Sequence, residues 1–144
     1  MNIDQLLGVL RRDESFMSCV THWHTDPARP ARYAPWPECL DDRLPPMLEK
    51  RGIHQLYTHQ AQAVEASARG EDVTIVTPTA SGKTLCYNLP VLSAILRDPN
   101  ARALYLFPTK ALSADQVSEL YELIQLLGVD IKTYTYDGDR KSVV

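Results

Sequence analysis

Apolar positions along the chain alternate between two periods. Val73-Thr74-Ile75-Val76 is short, apolar and β-branched, the pattern of a buried strand. Leu85, Leu89, Leu92 and Leu96 then fall on one face of a helix. Ala103 to Phe107 is a continuous apolar run, expected of a strand covered on both faces. Val117, Leu120, Ile124 and Leu127 stripe the next helix, and Gly128 stands at its C′ position. Ile131 to Tyr136 alternates as a third strand. Strands near 73–77, 103–107 and 131–135, separated by helices, predict an α/β fold with a parallel, doubly wound sheet. The crossovers are expected to be right-handed, and the strand holding Val73–Val76 is expected to be central.

The N-terminal third is less regular. Ile3, Leu6, Leu7 and Leu10 predict a short amphipathic helix over 2–12, and Phe16 to Trp23 reads as a short extended piece. Pro27, Pro30, Pro35 and Pro37 make 25–37 an extended arm, in which Arg29 and Arg32 read as solvated. Asp41 or Asp42 is expected to cap a helix that carries Pro45 and Pro46 in its first turns and stops before Gly52. Thr58 is expected to cap the next helix, which ends at Gly70. Its small residues, Ala61, Ala63, Ala66 and Ala68, suit close packing on a sheet. Pro90 is expected to kink its helix.

Composition narrows the class. A length of 144 residues allows one domain at most, and an apolar share of 44% suffices for an ordinary core. With a net charge of −3, no basic bias points to nucleic acid, so any such partner rests on local residues. No apolar run is long enough to span a membrane. Cys19, Cys39 and Cys86 are odd in number and scattered, which suits reduced thiols and a cytoplasmic setting. A zinc site drawn from Cys19, His22, His24 and Cys39 would fit no common ligand spacing.

The richest stretch joins the first strand to its helix: Thr77-Pro78-Thr79-Ala80-Ser81-Gly82-Lys83-Thr84. In a strand–turn–helix corner the backbone N–H groups converge at the helix N-terminus, where the dipole favours an anion. Gly82 permits close approach, Lys83 reaches the outer phosphates, and the Thr84 hydroxyl can coordinate Mg²⁺. Thr77 replaces the first glycine of G-x-x-x-x-G-K-[ST]. A plain corner with a solvated lysine shares the bare G-K-T, but the flanking strand and helix favour a nucleoside triphosphate, ATP with Mg²⁺. This loop, Pro108–Lys110 and Asp137–Arg140 all lie at predicted strand C-termini, which implies one functional face.

Residues 77–84 resemble motif I of superfamily 2 DEAD/DEAH-box-type helicases, whose loops commonly read (A/T)-x-T-(G/A)-S-G-K-T. Leu56-Tyr57-Thr58-His59-Gln60 resembles the Q motif and Phe107-Pro108-Thr109-Lys110-Ala111-Leu112 resembles motif Ia. Tyr136-Asp137-Gly138-Asp139-Arg140 resembles the G-D-T motif, with Arg140 where threonine is usual. The Pro-Ala-Arg-Pro-Ala arm and the run from Pro78 to Pro90 are most similar to the MrfA-like DNA-repair helicases.

The resemblance implies a RecA-like motor that hydrolyses ATP and translocates on single-stranded or partly duplex DNA, RNA being the lesser alternative. It implies residues 1–45 as an accessory helix and arm, and 46–144 as the first part of the ATP-binding domain. Gln60 would read adenine through its amide and Tyr57 would stack on the ring, beside the loop residues Thr77, Pro78, Thr79, Ala80, Ser81, Gly82, Lys83 and Thr84. Lys83 would also offset transition-state charge. Pro108, Thr109, Lys110, Gly138, Asp139 and Arg140 would meet nucleic acid, positioning it without reading sequence. The family's Asp-Glu-x-His acids are absent from the 144 residues, as is a second RecA-like domain, the expected partner. The chain alone is therefore expected to be inactive, and its parent to be an ATP-dependent DNA helicase. A nucleotide-binding module without motor activity and a small-molecule kinase are the alternatives. The kinase explains neither Gln60 nor Pro108-Thr109-Lys110.

Overall fold

The computed structural model describes residues 2–27, 30–136 and the backbone of 141–143. It comprises two units, Met1–Pro30 and Ala31–Val144. In the first, helix α1 (Ile3–Leu10) is closed by a capping box in which Asn2 and Gln5 exchange side-chain to backbone hydrogen bonds. Helix α2 (Glu14–Ser18) occupies part of the stretch expected to be extended. The Asp13 carboxylate accepts from the Phe16 N–H at 3.0 Å, and this cap outweighs the mixed periodicity of the segment. The Arg11 guanidinium lies 4.6 Å from the centre of the Trp23 ring.

The second unit carries the core. Strand β1 (Tyr33–Ala34) pairs antiparallel with β2 (Leu56–Tyr57). Helices α3 (Leu44–Lys50), α4 (Thr58–Ala68), α5 (Lys83–Arg97) and α6 (Lys110–Leu127) follow the order expected. Strands β3 (Tyr134–Tyr136) and β4 (Lys141–Val143) form a second antiparallel pair. Leu44, Leu48, Leu56, Val64, Leu89, Leu92, Leu123 and Ile124 make one cluster at the meeting of the four helices. The predicted stripe Leu85–Leu89–Leu92–Leu96 and the Leu120, Ile124 and Leu127 positions of the second stripe do face it, with Leu123 fully buried beside them, while Val117 is half-buried and outside the cluster. Ala61 and Ala63 of α4 are buried, and α4 packs chiefly on α5 rather than on a sheet.

The fold is α/β, but the expected parallel ladder is not seen among the described residues, whose paired strands are all antiparallel. Residues 73–77 and 103–107 carry strand-like alternation without a ladder. Ile75, Thr77, Tyr105 and Phe107 are half-buried, whereas Val76, Leu104 and Leu106 are more than four-fifths exposed. One face of each run is thus covered by helices and the other is bare. Beneath Tyr105, the buried Asn88 accepts its hydroxyl through Oδ1 at 3.0 Å, while Asn88 Nδ2 meets no acceptor among the described residues.

Two cap expectations shift, and so does one at a proline. Tyr57, not Thr58, is the N-cap of α4, and Arg43, not an aspartate, is the N-cap of α3. Helix α5 stays α-helical through Pro90. Asp41 instead accepts from the Arg43 N–H and guanidinium at 2.8–3.1 Å. The same guanidinium donates to the Leu96 carbonyl at 2.7 Å, an orphan acceptor at the end of α5. Arg97 donates to the Cys39 carbonyl at 2.6 Å. These bonds tie the segment before α3 to the far end of α5.

The Arg43 side-chain hydrogen bond holds the Asp41 carboxyl below the ordinary carboxylate range. A carboxyl depressed in the folded state stabilises fully above its unfolded pKa, about 3.9, and loses that contribution as pH falls through the folded value. Asp41→Asn should therefore lower the urea midpoint more at pH 7 than at pH 3, since the loss begins as pH falls below the unfolded value. An equal loss at both values would contradict the tie.

Candidate phosphate-binding loop and its neighbours

The loop between 77 and 84 turns on two left-handed residues, Ala80 at φ +58° and Gly82 at φ +71°, before Lys83 opens α5. For Ala80 this conformation is strained by about 1–2 kcal/mol, because its Cβ crowds the following carbonyl. The turn folds the chain around the Lys83 ammonium. Nζ donates to the carbonyls of Thr77 at 2.9 Å and Pro78 at 2.7 Å, with Thr77 Oγ1 and Ser81 Oγ at 3.3 and 3.4 Å. The two hydroxyls bond each other at 2.6 Å. Ser81 closes a turn over Thr79 and Ala80, and the N–H groups of Gly82, Lys83 and Thr84 stand at the start of α5, where the first turn of a helix has no intrahelical partner for its donors and an anion can take them.

A second anchor comes from the start of α4. Gln60 is 2% exposed, not solvated in the first turn. Its Oε1 accepts from the Tyr57 N–H at 2.8 Å, and its Nε2 donates to the Gly82 carbonyl at 2.9 Å. One amide therefore completes the N-cap of α4 and fixes the last turn of the loop. Each of its polar atoms keeps one further site, a second N–H and a second lone pair. His59 Nε2 lies 3.0 Å from the Ser81 carbonyl, a bond made when that nitrogen carries the proton. A Cβ on Gly82 would come within 2.6 Å of Gln60 Nε2 and force that amide to shift, and the positive φ is strained for any other residue, so glycine suits both.

Tyr57 stacks on two protein rings, Tyr33 at 5.3 Å and His59 at 5.7 Å between centroids. Tyr33 is more than half exposed at one end of this row. A groove of about 420 Å³ between α4 and residues 72–77 borders the site only at His59 and Thr77. On the other side of the loop, Thr84 shares a face of α5 with Tyr87. The Tyr87 hydroxyl donates to Gln116 Oε1 on α6. Burial pushes the Tyr87 phenol above its ordinary range, and a hydrogen bond from the Thr84 side chain opposes that shift. Burial likewise raises the Cys86 thiol.

Pro108, Thr109 and Lys110 are exposed at the start of α6. Thr109 is the N-cap, its Oγ1 accepting from the Leu112 N–H at 3.2 Å. Gly138, Asp139 and Arg140 lie outside the described residues. The structure thus brings Tyr57 and Gln60 to residues 77–84. Tyr33, His59, Tyr87 and Gln116 join this neighbourhood without having been singled out. Only His59 carried a sequence signal, its adjacency to Gln60. Among the described residues no His, Cys, Asp or Glu group could hold a metal, and no helix is long and apolar enough to cross a membrane.

Residues 57–143 match the model of the DEAD/DEAH box helicase family. Over 143 residues the chain is 50% identical to the uncharacterized ATP-dependent helicase YprA of Bacillus subtilis (strain 168), covering 99% of this chain and 19% of that protein. It is 36% identical over 141 residues to the ATP-dependent helicase HRQ1 of Saccharomyces cerevisiae, covering 95% and 13%. The crystal structure of the DUF1998 helicase MrfA bound to DNA and AMPPNP matches with a TM-score of 0.86 at 52% identity, over 96% of this chain and 19% of that one. The chain spans less than a fifth of the length of these relatives.

Two substitutions in the loop should act in opposite directions. Gly82→Ala strains φ and pushes against Gln60, so it should destabilise the chain by at least about 1 kcal/mol. Ala80→Gly relieves a positive φ and should stabilise by up to about 1 kcal/mol. Denaturant melts of both variants measure this, and the same sign for both would contradict the loop geometry.

Proposed function

The chain belongs to the DEAD/DEAH box helicase family, and from that premise we propose that it forms the nucleotide-binding part of an ATP-dependent DNA helicase motor. The observation that carries the reading is the Lys83 ammonium inside a loop held open at its end by Gln60. That ammonium is bound by carbonyl oxygens that a phosphate oxygen can replace. The N–H groups at the start of α5 fit the remaining phosphate oxygens. The Thr84 hydroxyl would hold Mg²⁺. When bound, ATP–Mg²⁺ supplies the phosphoryl group and the metal charge. Thr77, Pro78, Thr79, Ala80, Ser81 and Gly82 position the phosphates, and Lys83 offsets transition-state charge.

Gln60 reads adenine with the N–H and lone pair that its protein bonds leave over. Tyr57 contributes to the adenine wall through the aromatic row in which it lies. Pro108, Thr109 and Lys110, with Gly138, Asp139 and Arg140, position single-stranded DNA by its phosphates. The MrfA structure bound to DNA and AMPPNP supports both ligand classes.

The finer architecture belongs to the same reading: a RecA-like domain with parallel strands at 73–77, 103–107 and 131–135. The alternating burial at Ile75–Thr77 and Leu104–Phe107 supports it, since each run has a bare apolar face suited to a further layer. Domain bounds of 1–45 and 46–144, a second RecA-like partner domain, a role in DNA repair and a cytoplasmic setting complete the proposal.

The test is phosphate release by the purified full-length protein, with and without single-stranded DNA. Turnover should rise with DNA and fall on the order of 10²-fold in Lys83→Ala, the scale of one lost charge-stabilising donor. Residues 1–144, without the Asp-Glu-x-His acids, should show no turnover. DNA-independent hydrolysis at full length would favour a nucleotide-binding module over a motor. ATP should be preferred over GTP by about 1–3 kcal/mol, because guanine places an acceptor where adenine offers a donor. Equal use of both nucleotides would remove Gln60 from base reading.

A further inference from the structure

We infer that His59 is a positioning residue for the phosphates: it holds the Ser81 carbonyl and thereby aims the Gly82 N–H at the anion. This deepens the nucleotide-binding reading and rests on it.

The bond that carries it joins two elements. His59 Nε2, in the first turn of α4, lies 3.0 Å from the Ser81 carbonyl in the loop before α5. A carbonyl oxygen only accepts, so Nε2 is the ring nitrogen that carries the proton. The C=O and N–H of a trans peptide point in opposite directions. A partner on the Ser81 oxygen therefore fixes where the Gly82 N–H points. The next peptide is treated alike, since Gln60 Nε2 donates to the Gly82 carbonyl at 2.9 Å and so aims the Lys83 N–H. Two adjacent side chains of α4 thus orient two successive donors at the start of α5.

The Ser81–Gly82 peptide needs such a partner. Turning it over changes ψ of Ser81 and φ of Gly82, and glycine accepts either sign of φ. The observed φ of +71° at Gly82 is therefore one of two that its backbone tolerates. Turned over, the peptide would face the anion with an oxygen in place of a donor. The imidazole is itself held by packing, because it stacks on the Tyr57 ring at 5.7 Å, 11° from parallel. Stacking is the simpler role for His59, but stacking needs only a flat ring, whereas the bond needs a donor at the Nε2 position.

Three substitutions separate the two roles. His59→Phe keeps the ring and removes the donor. His59→Gln gives up the ring and keeps an amide N–H of similar reach. His59→Asn carries the same amide on a side chain too short to reach. Each is titrated calorimetrically, as the full-length protein, with Mg²⁺–tripolyphosphate, which has no base to stack. His59→Phe and His59→Asn should bind about tenfold more weakly than the wild type, the scale of one hydrogen bond to a charged group. His59→Gln should stay within about twofold. Wild-type affinity in His59→Phe would overturn the inference, as would a loss in His59→Gln equal to that in His59→Asn. If His59→Phe does not fold, the comparison of glutamine with asparagine decides alone. Failure of the wild type to bind tripolyphosphate would instead overturn the nucleotide-binding reading, and so is distinguishable.

Discussion

One buried amide decides where the loop stands. Gln60 lies in the first turn of α4, yet its two bonds go back to the Tyr57 N–H and across to the Gly82 carbonyl. Without it, a backbone donor and a backbone acceptor would lose their partners in a covered site, at about 1–3 kcal/mol. The glycine follows from the glutamine, since any Cβ at 82 would collide with Nε2. The left-handed turn follows from the glycine, and the position of Lys83 follows from the turn. Because α4 and α5 pack on each other through Val64 and Leu89 of the shared core, the whole cluster holds the amide in place.

The loop is thus built before any ligand arrives. Its cation is held by its own carbonyls and hydroxyls, while the first N–H groups of α5 have no partner within the helix. Preorganisation of this kind suits phosphoryl transfer, in which positioning and charge stabilisation do most of the work. Binding then amounts to an exchange, in which phosphate oxygens replace two carbonyls around one ammonium.

Much of this was legible in sequence. The stripes on α5 and α6, the loop residues and the glycines after α3, α4 and α6 all follow from periodicity and local chemistry. What was not legible comes from contacts distant in sequence or too short to carry a period. The two-residue strands β1 and β2 have no pattern to read, so Tyr33 passed as part of a proline-rich arm. Gln60 looks like a surface residue until Gly82 is placed beside it. Tyr87 and Gln116 stand 29 positions apart, and only the packing of α5 against α6 joins them. Asp13 shows the reverse, a local cap that builds α2 where apolar spacing suggested an extended piece. The parallel sheet was inferred from runs at 73–77 and 103–107, which here show the alternation of strands without a ladder.

The claim that Gln60 holds the phosphate loop, and does not merely face adenine, is tested with a ligand that has no base. Inorganic tripolyphosphate with Mg²⁺ should be titrated calorimetrically into the wild type and into Gln60→Ala. If the amide clamps the loop, the variant should bind tripolyphosphate about tenfold more weakly, the equivalent of the roughly 1–3 kcal/mol lost when its partners go unpaired. Equal affinity in the two proteins would contradict the clamp.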